Sequence, residues 1–402
     1  MEDRCLNRQG FQIHFYRFMA DVATLPTESS GDIFLSKKYY EALEKAPPQD
    51  FSFCYVLITP PNSRAVCGFI AAAVKSYNAA ESLFLKDAPQ KQSASQRLKY
   101  SIANRIRFSA LVIGNPLLTG EHGFWFDTKL VDLPLSQRLL FHGIEAMKAN
   151  LRKQHNIKIN AVLAKDFCPD SYAFQQASFL KSKNYIPFQA EPGFIFTVKQ
   201  EWKNMDDYLG ALSSKYRIRA RRAFAKLGGD VVRKEFSEDE LAEYKKEIHA
   251  LYLCVKNSAS FNLADLPDDY FLQLKRSLKH NFHVFGYFLN NRLIGFFSAV
   301  NNRQAELESH FIGYDADANR TRQIYLNMLF DIVKQGIEGS YPRIVFGRTA
   351  YEIKSSVGAR PVELSLFIKH SNRLIHFFLP LLFRFLYLRG KKKRMSRNPY
   401  KN

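Results

Sequence analysis

The spacing of apolar and polar positions divides the chain into short strands and amphipathic helices. In the first half, "FQIHFYRFM" alternates as a strand does, and "LSKKYYEALEKA" sets Tyr40, Leu43 and Ala46 on one helical face. The apolar runs "FSFCYVLITP" and "AVCGFIAAAV" are joined by the turn-rich link "PNSR" and read as strands. Residues 78–104 are polar without a clear period and are predicted as loop with some helix. "RFSALVIG" is a further strand. "PLSQRLLFHGIEAMKANLRKQ" is strongly amphipathic, with Leu139, Ile144, Met147 and Leu151 among its apolar positions. Strand "IKINAVLAKDF", helix "SYAFQQASFLKSKN" and strand "FIFTV" complete this half.

The second half repeats the order. "DVVRKEF" is a strand, and "SEDELAEYKKEIHALYLCVKN" is a helix opened by a capping box of Ser237 and Glu240. "DDYFLQLKRSLKHN" is helical. "FHVFGYFLNNRLIGFFSAV" reads as a hairpin turning at Asn290-Asn291. Then come strand "QAELESHFIGY", the long helix "RTRQIYLNMLFDIVKQGIE", and strands "PRIVFGRT" and "VELSLFIK" with a short helix between them. The expected organisation is two mixed α/β domains, residues 1–200 and 201–372, and an apolar-basic extension over 373–402. A length of 402 residues agrees with two cores rather than one.

Charge narrows the partners. The formal net charge is +20, and eight of these charges lie between Arg384 and Asn402, where no acidic residue occurs. The rest of the chain remains basic, which implies anionic partners: phosphates, nucleic acid or anionic lipid. Five scattered cysteines without a CxxC pair point to a reducing compartment. The histidines show no zinc-ligand spacing, so no metal site is expected. The first residues, "MEDRCLNRQG", contain no apolar signal region, and no run of eighteen apolar residues is present. The expected location is the cytoplasm, with peripheral attachment to the inner membrane face as an extension of that reading.

Four stretches carry candidate chemistry. Residues 213–226, "SSKYRIRARRAFAK", hold six cations and no acid. At helical spacing Leu212, Tyr216, Ala220, Ala223 and Leu227 form an apolar stripe, with Lys215, Arg219, Arg222 and Lys226 along one flank. Such a helix docks by its seam and is expected to line the cleft between the halves, as a wall for a phosphorylated ligand or as a plain solvated face. In "QAELESHFIGYD", strict alternation sets Glu306, Glu308 and His310 on one side of the strand. Glu308 and His310 are then candidates for a catalytic base, or part of a solvent-facing surface. In "FGRTAYEIKSSVGA", Arg348 stands at a strand end and Lys354 in the helical turn that follows. Arg348 can grip a phosphate or carboxylate, and Lys354 can stabilise an oxyanion. In "GNPLLTGEHGF", the amides around Gly120, with Glu121 and His122, can hold an anion or form a structural turn.

The order of elements resembles the acyl-CoA N-acyltransferase (GNAT) fold. Two units in tandem resemble its FemAB-like branch, with BioF2-like proteins beside it. "LSSKYRIRARRAFAK", "IVFGRTAYEIKSSVGARP" and "ALVIGNPLLTGEHGF" carry the likeness, over roughly residues 30–370. The resemblance implies tandem mixed α+β domains, each a mostly antiparallel sheet flanked by helices. It implies transfer of an acyl or aminoacyl group from acyl-CoA or aminoacyl-tRNA as co-substrate to an amine, with no tightly bound cofactor. One departure is the second half's "GYDADANRTRQ", where Gly313 stands alone in place of a glycine-rich donor loop. Arg320 and Arg322 follow it.

The acceptor amine would belong to an anionic small molecule, a cell-wall precursor or a lipid-linked substrate. Residues 374–388 are apolar apart from His376, Pro380 and Arg384, and Lys391 to Arg394 follow at once. This pattern suits an anionic membrane surface or a helix packed on the second domain. Two other classes compete with the enzyme: a nucleic-acid binder, and a membrane-associated protein on a catalytically silent fold.

Overall fold

A computed structural model of the chain describes residues 10–25, 31–78, 107–169, 171, 174–189, 191–258, 264–302, 305–389 and 398–401. Residues 79–104 of the loop expected over 78–104, and the cationic run Lys391 to Arg394, lie outside these residues, and Asn78 ends a strand instead.

The first half contains β1 (Gln12–Tyr16), α1 (Lys37–Lys45), β2 (Phe51–Thr59), β3 (Gly68–Asn78), β4 (Arg107–Ile113), β5 (Phe124–Phe126), α2 (Leu133–His155), β6 (Ile159–Phe167), α3 (Ala177–Ser182) and β7 (Ile186–Gln189). Local chemistry sets the helix ends. The Ser36 side chain accepts the Tyr39 amide at the start of α1, and Asp132 accepts the Leu135 amide at the start of α2. Asn156, in the left-handed region at φ 55°, closes α2. Strand β2 is a continuous apolar run because it is central, with β1 and β3 antiparallel on either side.

The second half contains β8 (Gly193–Thr197), α4 (Met205–Ala211), α5 (Ser214–Leu227), β9 (Val231–Glu235), α6 (Glu238–Glu243), α7 (Lys245–Ser258), α8 (Tyr270–Leu278), β10 (Phe282–Leu289), β11 (Arg292–Asn302) and β12 (Glu306–Tyr314). It continues with α9 (Ala316–Arg322), α10 (Ile324–Glu338), β13 (Arg343–Gly347), α11 (Tyr351–Ser356), β14 (Arg360–Val362), β15 (Ser365–His370) and α12 (Arg373–Arg389). The hairpin turns at Asn290 and Asn291, both with positive φ as a tight two-residue turn requires. The expected capping box of Ser237 and Glu240 is present. The helix it opens is interrupted at Tyr244, so two helices stand where one was expected.

Among the described residues the strands form two sheets. The first is ordered β1-β2-β3-β4-β6-β15-β7, with β5 on β3; the second is ordered β14-β8-β13-β12-β11-β10-β9. Each is antiparallel except for one parallel pair, β4–β6 in the first and β12–β13 in the second. The expectation that "FIFTV" completes the first half and "VELSLFIK" the second is corrected at this point. Strand β8 pairs with β13 in the second sheet, whereas β15 pairs with β6 and β7 in the first. Each sheet therefore borrows a strand from the other half of the sequence.

The halves also share a core. Tyr39, Tyr40, Tyr55 and Phe69 of the first half belong to one buried cluster with Tyr252, Tyr270, Phe271, Phe296 and Phe311 of the second. Hydrogen bonds cross the same boundary from Gln49 N to Asp265 O at 2.8 Å and from Ile33 N to Asn302 Oδ1 at 2.9 Å.

Gly313, which stands alone in "GYDADANRTRQ", serves packing. A Cβ there would stand 2.4 Å from Phe296 Cε1 and 2.7 Å from backbone atoms of Leu251 and Tyr252. It lets α7 lie directly on β12. Replacing it forces backbone apart, so Gly313→Ala is expected to destabilise by about 1–3 kcal/mol. Urea unfolding measures this, and an unchanged midpoint would remove the packing role.

Candidate active site

Both parallel strand pairs end where the halves meet, and buried charge collects there. Asp166, near the end of β6, is fully buried and adopts φ 66°. Lys165 Nζ lies 2.6 Å from its Oδ2. The same ammonium donates to the Asn115 and Leu118 carbonyls, each at 2.6 Å. Arg348, just after β13, forms an ion pair with Asp166 Oδ1 from the other half. The Gly120 amide donates to Oδ2 at 3.3 Å. Burial lowers the Lys165 pKa, while Asp166 acts in the opposite direction.

The backbone beside Arg348 is strained. Gly347, Thr349 and Ala350 have φ of 63°, 70° and 49°. A β-branched threonine in this region is sterically costly, by about 1–3 kcal/mol. The kink turns the chain from β13 into α11 and buries Lys354. Lys354 is 5% exposed, donates to the Arg348 carbonyl, and stands 5.9 Å from the centroid of the Phe194 ring. Burial lowers its pKa to about 7, and the carboxylate of Glu308 opposes that shift.

Glu308 is 2% exposed, so it is not part of a solvent-facing surface. Its position is set by the sheet. The parallel ladder stops at Glu308–Val345, although β12 continues to Tyr314 and β13 to Gly347. Glu308 therefore stands where the two strands part. Its charge acts on Lys354, Lys165 and Tyr39, which come from three different elements.

His310 is also buried, and strict alternation does not describe its strand. Ser298 opposes both His310 and Phe311 in a β-bulge, and its hydroxyl bonds the Phe311 amide at 3.0 Å. The imidazole stacks on Tyr270 and meets the edges of Phe282 and Phe311. Its Nε2 lies 2.8 Å from the Tyr270 hydroxyl. Tyr270 hydrogen-bonds Tyr39, and Tyr39 accepts from Asn115 Nδ2 at 2.8 Å. A polar line thus runs from Asn115 in the first half to His310 in the second. Burial pushes the His310 pKa down to about 3, so the ring is neutral at ordinary pH. Among the described residues, His310 Nδ1 and Arg348 Nε are buried at this junction without a hydrogen-bond partner.

The other expected site residues lie differently. In the loop after β4 the polar groups turn inward. The Gly120 amide meets Asp166, Glu121 Oε1 accepts the Cys168 amide at 2.7 Å, and His122 Nδ1 lies 2.8 Å from the buried Asp32. Helix α5 docks through Tyr216, Ala220, Ala223 and Leu227, as its stripe requires. It does not line the boundary between the halves. It packs on α10, where Ala223 O accepts Asn327 Nδ2 at 3.0 Å and Phe224 meets Phe330. Lys215 and Arg222 are exposed, whereas Arg219 borders a groove of about 200 Å³ with Asn319, Gln323 and Ile353. That groove lies at the start of α10 and one residue from Lys354.

Periodicity did not single out Lys165, Asp166, Asn115, Tyr39 or Tyr270. A visible signal existed for two of them, since "KD" interrupts the otherwise apolar end of "NAVLAKDF". No cluster of three metal-ligating side chains occurs among the described residues.

No family model and no curated protein matches the chain. Solved structures do. FemX aligns with a TM-score of 0.53 at 12% identity, covering 89% of this chain and 99% of FemX. The tandem GNAT protein from the clavulanic acid biosynthesis pathway gives 0.49 at 10% identity, over 90% of this chain and 99% of its own. L-PGS from Bacillus licheniformis gives 0.45 at 12% identity, over 88% and 97%. At such identities the likeness is one of fold. The chain, with its two mixed sheets in tandem, shares the fold of FemX over nearly its whole length.

The histidine's environment has a consequence for pH. Between pH 6.5 and about 3 the unfolded chain takes a proton that folded His310 refuses. Its contribution to stability is therefore present above 6.5 and falls away as pH drops toward 3. His310→Gln keeps an acceptor for Tyr270. It is expected to flatten the stability–pH slope across this window by close to one proton, read from urea unfolding at several pH values. An unaltered slope would place the titration elsewhere.

Proposed function

We propose that the chain is an N-acyltransferase working where β12 and β13 part. The observation that carries this reading is the buried pair of Glu308 and Lys354, a carboxylate and an amine of lowered pKa at one strand fork. A buried carboxylate beside a buried amine of lowered pKa suits proton transfer and charge stabilisation. The acceptor amine attacks the carbonyl carbon of the activated donor. A C–N bond forms and the C–S bond of a thioester, or the C–O bond of an aminoacyl ester, breaks. Glu308 takes the proton released by the amine, and that proton departs with the leaving group. Lys354 in its ammonium form faces the oxyanion. Arg348 orients the fork through Asp166, and His310 positions the wall opposite through Tyr270.

Donor phosphates fit the groove beside Arg219, at the N-terminal end of α10. Acyl-CoA and aminoacyl-tRNA both supply a phosphate-bearing activated acyl group. The exposed cations of α5, Lys215 and Arg222 among them, favour the larger polyanion. The acceptor class proposed is an amine on an anionic small molecule, a cell-wall precursor or a lipid.

Lys354→Met is expected to lower kcat by about 10²–10³-fold, the usual cost of losing an oxyanion partner. Assays with separate acyl-CoA and aminoacyl-tRNA donor pools measure it, and an unchanged kcat would sink the assignment. The stability effect has the opposite sign. Burying the Lys354 charge costs most below pH 7, and this cost fades as pH rises toward 10.5. The variant should therefore gain stability over the parent at pH 6 and lose that gain in alkali.

A further inference from the structure

Helix α12 presents an apolar stripe to solvent. Leu374, Phe377, Phe378 and Leu381 follow an i, i+3, i+4, i+7 spacing. They are 72%, 75%, 56% and 65% exposed. The opposite side holds the helix to the protein. Leu379 is buried, and His376 Nδ1 accepts the His370 amide at 3.3 Å. A helix that turns Phe377 and Phe378 outward, with Leu374 and Leu381 beside them, is built for a second apolar phase.

The sequence around it chooses the phase. No acidic residue occurs from Arg373 to the end of the chain, and Arg389, Lys391, Lys392, Lys393, Arg394 and Arg397 follow the stripe. The chain then returns to the protein. Pro399 O accepts the Ser213 amide at 2.8 Å, Lys401 N donates to Ala211 O at 3.1 Å, and Tyr400 packs beside Trp202. The stripe is thus anchored on both sides of the cationic run, and the second anchor sits at the start of the basic helix α5. No described helix is long and apolar enough to cross a membrane. We propose that the outer face of α12 docks on an anionic lipid bilayer, lying in the interface rather than spanning it. The charge of the flanking chain selects anionic headgroups, and the stripe enters the acyl boundary.

Flotation of the full-length protein with phosphatidylglycerol–phosphatidylcholine vesicles, and with phosphatidylcholine vesicles alone, tests this. The parent protein should float with the anionic vesicles and at least tenfold less with the neutral ones. Phe377→Ser/Leu381→Ser should lose at least tenfold of the bound fraction while keeping the parent's circular dichroism. Leu374→Ser/Phe378→Ser provides an independent second variant. The proposal fails if the parent stays with neither vesicle, binds both equally, or if both variants float as it does. It also fails if sedimentation shows a parent dimer that the variants dissolve, because the face would then belong to a second copy. Binding of this kind is read without any acyl transfer, so it stands or falls separately from the proposed activity.

Discussion

A carboxylate with no access to water ties the two halves of this protein together. Asp166 is met by Lys165 from its own strand and by Arg348 from the other half. Two cations and one buried anion leave little room for adjustment. Removing the anion would leave buried positive charge unbalanced, which costs about 3–5 kcal/mol in comparable sites. The pairing also dictates backbone shape. Asp166 accepts a left-handed φ, and the chain on either side of Arg348 accepts three positive φ values, at Gly347, Thr349 and Ala350, so that the charges can meet. Lys354 is held in turn by the Arg348 carbonyl. The strand fork that holds Glu308 and Lys354 therefore inherits its geometry from this ion cluster.

The shared aromatic core supports the same junction by a different means. Tyr39 and Tyr270 contribute apolar area to the core and hydroxyls to the polar line between Asn115 and His310. Tyrosine suits this place because its ring is buried at little entropic cost and its hydroxyl needs one partner. Hydrophobic packing and hydrogen bonding thus converge on the same residues beside the fork.

Much of the fold could be read from the chain because its determinants are local. The hairpin at Asn290-Asn291 needs only two residues that tolerate positive φ. The seam of α5 needs only its 3.6-residue spacing. The candidate site was legible in part: Lys354, Glu308 and Arg348 do gather at one place, while the residues of "GEH" turn to partners inside the first half. What escaped the sequence is non-local. Periodicity says that "VELSLFIK" is a strand but not which sheet takes it. It says that His310 alternates with its neighbours but not that Ser298 introduces a bulge, or that Tyr270 arrives to cover the ring. The direction in which α5 faces depends on α10, whose own pattern is silent on its partner.

The exchange of strands between the sheets bears on how the chain is made. The first sheet is completed by β15, which lies roughly 200 residues after its partner β6. Among the described residues, strand β7 reaches that sheet only through β15. At a synthesis rate of about 5–20 residues per second, β6 waits on the order of 10–40 seconds for its neighbour to leave the ribosome. During that interval an apolar strand has an open edge, the kind of surface that other chains can pair with. The first sheet is therefore completed only when the final tenth of the polypeptide has emerged.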